Sequence, residues 1–408
     1  MICFLPGRES IQHLQQLLEA KNVAIKKKNL ELNPEELDFE SERVFHALEI
    51  LVLPLYSALG PREQEKIFRE TPKGTRKFVL TTIIAETSLT IPGIKYVVDS
   101  GLQKTKFFFQ STEILKTTEI SKECVLQRRG RAGRQGPGFC YHLYPDSAFR
   151  QMEESKIPEI CRVDFAHVYL QLRILGHEAK DFDFIDRPAT NSIVHAKQQL
   201  FRLGAMEASG RLTEKASFFT KLPISPFLSN LLFFGKTECP HESLVVASFL
   251  LSNQEFEFSN ETSSTTTGAR GDHLYLLKLY EKYRSQKIEG FQVLEKMKKI
   301  CNIYDQLKKI IHFSGGEQRE AYDDMKFSRC LAKAHFLNTA RLLDFRTRLY
   351  KVLTSKMGSQ IHPSSTLFNS PPDVVIFYEI LETKKSYLYC CTEIDENWLS
   401  ENFHMRPQ

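Results

Sequence analysis

With 408 residues, 42% apolar and 26% charged, the chain has the make-up of an ordinary globular protein of about two to four domains. No run approaches the roughly 18 apolar residues of a membrane span, and a formal charge of +5 permits a polyanionic partner without demanding one. The nine cysteines are scattered and form no Cys-x-x-Cys pair, which argues against a thiolate zinc site or a redox motif and leaves them as small buried hydrophobes.

The N-terminus, Met1-Ile2-Cys3-Phe4-Leu5 followed by Pro6-Gly7-Arg8-Glu9, is too short and too soon charged for a signal-peptide core, so an intracellular protein is expected. The sequon Asn260-Glu261-Thr262 is then silent. Ile2 to Leu5 reads as a short strand, and Ile11, Leu14, Leu17 and Leu18 follow at helical spacing. Strand-like runs recur at 49–55, 77–84 and 95–98. Strands alternating with helical segments imply a parallel sheet covered by helices. Residues 104–109 and 113–118 flank Gln110-Ser111-Thr112 and read as a long hairpin. An α/β domain whose first strand opens at Met1 is expected of a piece of a longer protein.

From 157 the pattern changes. Helical periodicity covers 168–175 and 193–203, and Ser209-Gly210 marks a small hairpin between 205–207 and 211–213, which together suggest a winged helix. Helical segments follow at 226–236, 242–252, 273–284 and 291–312, interrupted by a Ser/Thr/Gly-rich loop at 259–270. Strands at 347–353, 373–382 and 386–394 suggest a terminal β-barrel. The expected domains are 1–156, 157–222, 223–335 and 336–408.

Two segments carry chemistry. In Gln127-Arg128-Arg129-Gly130-Arg131-Ala132-Gly133-Arg134, a helix would place Gln127, Arg131 and Arg134 at i, i+4 and i+7 on one face. Each glycine costs a helix about 1 kcal/mol, which makes sense where something approaches the backbone closely. One amide and two guanidiniums suit a phosphoryl-transfer site, because guanidinium forks bind phosphate oxygens. The competing reading is a solvated basic face. The second segment, Thr81-Thr82-Ile83-Ile84-Ala85-Glu86-Thr87-Ser88-Leu89-Thr90, follows a strand, where hydroxyls and amides can bind phosphate; singly, such hydroxyls also serve as helix caps.

Together these segments resemble the DEAH/RHA helicases. Residues Ile2 to Glu9 look like motif IV, Pro54-Leu55-Tyr56-Ser57-Ala58-Leu59 like the stretch after it, 82–90 like motif V and 127–134 like motif VI. The resemblance runs on through Pro158-Glu159-Ile160, Gly271-Asp272-His273, Ile361-His362-Pro363-Ser364-Ser365 and Glu393-Ile394-Asp395 with Trp398, covering nearly the whole chain in order. It implies a second RecA-like domain with a β-hairpin at 104–118, a winged helix, a helical ratchet (HA2) domain and an OB-fold. It also implies ATP-driven, 3′-to-5′ movement on RNA, with ATP and Mg²⁺ as cofactors and an activator protein as a partner on the barrel.

Carried over by motif, Gln127 would position the attacking water or touch the γ-phosphate, and Arg131 and Arg134 would be arginine fingers. Ser88 would sense the nucleotide, and Phe68 would stack on its base if one ring face is free rather than packed in the core. Thr82, with Gly7 and Arg8, would grip RNA, as would Ser364 and Ser365 in a barrel loop, where turn chemistry is the plainer reading. Asp272 reads equally as a helix cap or an RNA contact. Tyr387 and Tyr389 alternate on a strand, where half-buried packing competes with base stacking. The hairpin would act as wedge or strand guide, and the family points to nucleus or nucleolus. Lys26-Lys27-Lys28 reads as a solvated face rather than a targeting signal.

The sequence departs from the family at Ile83 (normally Asn), Pro92 (often acidic), Arg129 (normally small) and Gln110-Ser111 (normally Asn-Pro). It also contains neither Gly-x-x-x-x-Gly-Lys-[Ser/Thr] nor Asp-Glu-Ala-His, the parts that hold phosphate and Mg²⁺. The expectation is one face of an ATPase site, with negligible turnover by the chain alone. A non-catalytic RNA-binding or partner-binding relative is the alternative, favoured by Ile83 and Pro92. A winged-helix DNA regulator is weaker, since 193–203 offers only Lys197, Gln198, Gln199 and Arg202 to read bases.

Overall fold

The computed structural model describes residues 1–31, 49–57, 59–87, 89–109, 112–252, 270–287, 291–312, 322–382 and 385–399. They fall into two units, Met1–Thr105 with Thr117–Lys156, and Lys106–Lys116 with Ile157–Gln408.

The first unit contains strands β1 (Ile2–Phe4), β2 (Glu49–Leu55), β3 (Thr75–Thr81) and β4 (Tyr96–Asp99), hairpin strands β5 (Leu102–Phe109) and β6 (Thr112–Glu119) in part, and β7 (Phe139–His142). Its helices are α1 (Arg8–Glu31), α2 (Pro61–Glu65), α3 (Lys122–Arg129) and α4 (Asp146–Gln151). The expected parallel sheet is present, in the order β2-β3-β1-β4-β7. β1 is central, pairing Ile2 with both Val79 and Val97. That position explains an unbroken apolar strand: Ile2, Phe4, Val79 and Val97 pack on one face with Leu53, Leu55 and Ile67, and Cys3 and Leu80 on the other. α1 covers the second face through Ile11, Leu14 and Leu18. Leu17, expected on that face, is exposed. At 3.6 residues per turn it follows Leu14 and precedes Leu18 on the rim of the stripe.

The strand expected at 77–84 stops at Thr81, and Ile83–Ala85 form a tight turn in which Glu86 N bonds Ile83 O at 2.9 Å. Because all five strands run the same way, the segments after β1, β3 and β4 emerge together at the carboxyl edge of the sheet, where α/β proteins bind ligands. The β5–β6 hairpin is joined at its base by a 3.0 Å contact between the Thr105 and Thr118 hydroxyls. Its turn, Gln110-Ser111, lies outside the described residues.

In the second unit, α5 (Ala166–Ile174), α6 (Thr190–Arg202) and α7 (Glu214–Thr220) share a core of Phe165, Tyr169, Leu170, Leu200 and Phe219. The hairpin expected near Gly210 is reduced to one bridge, Met206 to Leu212, with Gly210 at φ +83°. Helices α8 (Pro226–Glu238), α9 (Pro240–Leu251), α10 (Asp272–Arg284), α11 (Phe291–Ile310) and α12 (Asp324–His335) enclose Leu231, Val245, Leu277, Ile300 and Leu331. The Ser/Thr-rich segment, apart from Arg270, lies outside the described residues.

The expected barrel is also present. Strands β8 (Thr339–Asp344), β9 (Leu349–Val352), β10 (Gly358–Ile361), β11 (Val374–Glu382) and β12 (Ser386–Glu393) run β12-β10-β9-β8-β11, and β11–β12 pairing closes them around Tyr350, Val352, Phe377 and Leu388. The barrel opens at Thr339, before the point its composition suggests, because β8 buries only Thr339 and Ala340 fully and so lacks a long apolar alternation. Within this unit Ile114–Lys116 of β6 run parallel to Ile380–Glu382 of β11.

Candidate functional site

α3 begins at Ser121, whose hydroxyl accepts from Cys124 N at 3.3 Å, and it buries Cys124, Val125 and Arg128. It ends at Arg129 with Gly130 as C-cap. Gln127, Arg131 and Arg134 therefore do not share a helical face as their spacing suggested: both arginines lie in the turns beyond the helix. What gathers the arginines is the backbone after β3. Arg131 Nη1 donates to Leu89 O at 3.0 Å and its Nη2 to Glu86 O, while Arg134 Nη1 donates to the same Leu89 O at 3.3 Å and to Thr90 Oγ1. Gln127 stands one turn earlier; its Nε2 donates to Glu123 Oε1 at 3.1 Å, and among the described residues its Oε1 has no donor.

Burial and the adjacent Arg134 charge hold the Arg131 guanidinium below its usual range, and Glu86 opposes them. Two like charges anchored on one carbonyl repel, and an anion placed between them relieves that repulsion.

Arg128, missed in the sequence reading, is the hidden centre of this region. It is 1% exposed. Its Nε bonds Glu86 Oε2 at 3.0 Å, its Nη1 bonds Asp99 Oδ1 at 2.7 Å and Leu102 O at 3.3 Å, and its guanidinium lies 5.0 Å from the Phe4 ring centroid. Lys156 Nζ takes the other Glu86 oxygen, and Tyr144 Oη donates to Asp99 Oδ2 at 3.1 Å. One guanidinium thus ties the β3 loop, the end of β4 and α3. The helical stripe 121, 124, 125, 128 was the available signal, because a basic residue on the apolar face of a helix needs buried carboxylates.

Thr82 follows the carboxyl end of β3; its backbone N donates to Leu55 O at 3.3 Å, and its side chain does not cap the following turn. Gly7 is buried against Lys104, whose Cε would lie 2.8 Å from an added Cβ. Arg8 opens α1 with its guanidinium 5.9 Å from the Tyr56 ring centroid. Phe68 is 42% exposed while its neighbour Ile67 is fully buried, so the ring has an open side. Lys77, also missed, holds that turn: its Nζ donates to Ile67 O at 3.0 Å and Arg69 O at 2.5 Å, on either side of Phe68. Ser88 lies outside the described residues.

The departures have physical consequences. Ile83 puts an apolar side chain, 45% exposed, where an amide is usual. Pro92 is exposed and opens a Pro-Gly turn, with Gly93 at φ +75° and its N donating to Gln135 Oε1 at 2.7 Å. Gly138 permits the return to the sheet, since an added Cβ would meet Ala132 O at 2.4 Å.

In the barrel, Ser364 is partly exposed and its hydroxyl lies 2.7 Å from His362 Nδ1. Ser365 is buried and its Oγ accepts from Leu367 N at 3.2 Å, so its hydroxyl serves the loop. Asp272 is fully buried; Oδ1 accepts from Thr366 N and Oγ1, both at 2.8 Å, and Oδ2 from Cys391 N at 2.8 Å. It therefore clamps the barrel loop rather than capping its own helix. Tyr387 and Tyr389 pack edge-on against His362, at 5.6 and 5.8 Å between centroids.

The first unit thus offers an open aromatic ring, on which a planar group can stack, and paired guanidiniums, which can donate to an anion. Among the described residues no three carboxylate, imidazole or thiol groups converge as metal ligands.

Residues 1–136 match the model of the helicase conserved C-terminal domain, and 327–403 that of an oligonucleotide/oligosaccharide-binding (OB) fold. The chain is 34% identical, over 98% of its length, to the pre-mRNA-splicing factor ATP-dependent RNA helicase DEAH10 of Arabidopsis thaliana, of which it spans 58%. Its fold matches the E. coli DExH-box NTPase HrpB at a TM-score of 0.69 and 23% identity, covering 99% of this chain and 43% of that one.

Proposed function

The chain belongs to the DEAH/RHA helicases, whose C-terminal part it matches, and from that premise we propose that it supplies one face of an RNA-dependent ATPase. The observation that carries this reading is the meeting of Arg131 and Arg134 at Leu89 O. Guanidiniums held there meet a triphosphate presented by a P-loop domain, and neutralise charge that develops as the γ-phosphate leaves. Gln127 orients water from its position one turn upstream, and Phe68 stacks on the base. ATP supplies the driving force, and its Mg²⁺ is held by the P-loop side. The nucleus is the compartment in which a relative of a splicing helicase would act.

Thr82, Gly7 and Arg8 at the carboxyl edge of the sheet, and Ser364 in the barrel loop, are the RNA-facing groups. Residues 157–222, 223–335 and 336–408 are read as winged helix, ratchet and OB-fold, and the barrel as the seat of an activator protein. The β5–β6 hairpin is read as the strand guide. Exposed Ile83 favours a second reading, a relative that binds RNA without hydrolysis. Steady-state ATP hydrolysis by the chain with RNA tests the first: turnover stays at background, and robust turnover contradicts a one-faced site.

A further inference from the structure

The turn between β8 and β9 presents an exposed aromatic ring. Phe345 is 71% exposed, and no ring stacking or cation–π contact involves it among the described residues. Leu343, two residues earlier near the end of β8, is also exposed. The turn itself is built. Asp344 Oδ1 accepts from Arg346 N and Oδ2 from Thr347 Oγ1, both at 2.8 Å, and Gln360 Nε2 of β10 donates to Thr347 O at 2.7 Å. Both oxygens of that carboxylate are thus engaged by the turn. The ring is held out before any ligand arrives, so little ordering entropy is lost on binding.

Cations flank it along the hairpin. Arg346 is exposed and has no ion pair among the described residues. Lys351 faces outward directly across from Arg341, which pairs with Glu396. Arg348 lies 5.3 Å from the Phe368 ring centroid. An exposed ring interleaved with cations fits an unstacked base and its flanking phosphates better than it fits an apolar protein surface, which would leave the cations without counter-charges.

We infer that the β8–β9 turn is a base-stacking contact for single-stranded RNA, with Phe345 as the platform and Arg346 and Lys351 on the phosphates. The inference rests on the RNA-binding reading above and adds a second, barrel-borne contact to it. The test is fluorescence anisotropy of labelled oligouridine with the full chain across a salt series. Phe345→Ala weakens binding about tenfold, and Phe345→Trp keeps it, because stacking tolerates any aromatic. Arg346→Ala lowers the slope of log affinity against log salt by about 0.7. Because these side chains are exposed, unfolding midpoints stay unchanged. Unaltered binding by both alanine variants overturns this inference alone, whereas failure of the unsubstituted chain to bind oligouridine overturns the RNA reading as well. Loss of a protein ligand with RNA affinity intact would reassign the turn to protein docking.

Discussion

Arg128 Nη1 donates to Asp99 Oδ1 at 2.7 Å with both side chains shut away from water. The same guanidinium reaches Glu86, so the loop that receives Arg131 and Arg134 is fixed from below by the residue next to Gln127. Arg128→Met leaves Asp99 buried without its counter-charge, a change that costs about 3–5 kcal/mol. Urea unfolding of the first unit reports it, and a loss below about 1 kcal/mol would show the network to be dispensable.

Gly271→Ala is expected to be severe for a different reason. Gly271 sits at φ +151°, and an added Cβ would lie 2.4 Å from Thr392 Oγ1. The neighbouring Asp272 clamp on Thr366 and Cys391 depends on that close approach. Overpacking of this kind costs about 1–3 kcal/mol, and backbone strain adds to it. A thermal midpoint equal to that of the unsubstituted chain would refute the clamp.

Stability should fall on acidification through the histidines behind that clamp. His273 and His335 are buried; desolvation lowers His273 to about 3, with a further push from His335, and desolvation lowers His335 to about 4. The unfolded chain binds protons at these sites below about pH 6.5 while the folded chain does not, so stability is complete above that pH and declines toward the folded values. At pH 5 the loss is about 2 kcal/mol per histidine. Burial raises Asp272, which acts in the opposite sense at lower pH, so the decisive comparison is with His335→Phe. That variant should lose the His335 share of the slope between pH 6.5 and 5, the rest staying with His273 and with His167, which burial also lowers; an unchanged slope counts against this origin.

Phe68 and Lys77 separate recognition from support. Removing the half-exposed ring in Phe68→Ala should raise the KM for ATP about tenfold in a reconstituted enzyme, with the unfolding midpoint kept. Lys77→Met should raise the KM and also destabilise by about 1–3 kcal/mol, because the carbonyls of Ile67 and Arg69, the first of them in a buried bond, lose their donor. A normal KM in Phe68→Ala would return that residue to plain packing.

Much of the architecture was legible because periodicity records burial. β1 and β3 read as strands since both faces are covered, and α1 and α10 read as helices from their apolar spacing. β7 and β8 were missed because each is short and largely exposed. At the site, residue types marked Gln127, Arg131 and Arg134, but the spacing argument placed them wrongly. The two arginines meet at Leu89 O, with Arg131 also on Glu86 O and Gln127 apart from both, and a carbonyl partner leaves no trace in sequence. Arg128 was readable in principle from its helical stripe; Lys77 was not, since its partners are also carbonyls.

The most direct test joins this chain to the P-loop and Asp-Glu-Ala-His domain of the Arabidopsis relative and measures RNA-stimulated ATP hydrolysis. Arg131→Ala and Arg134→Ala should each lower turnover about a thousandfold, with oligouridine affinity unchanged. Hydrolysis at the unsubstituted rate in either variant would contradict the account.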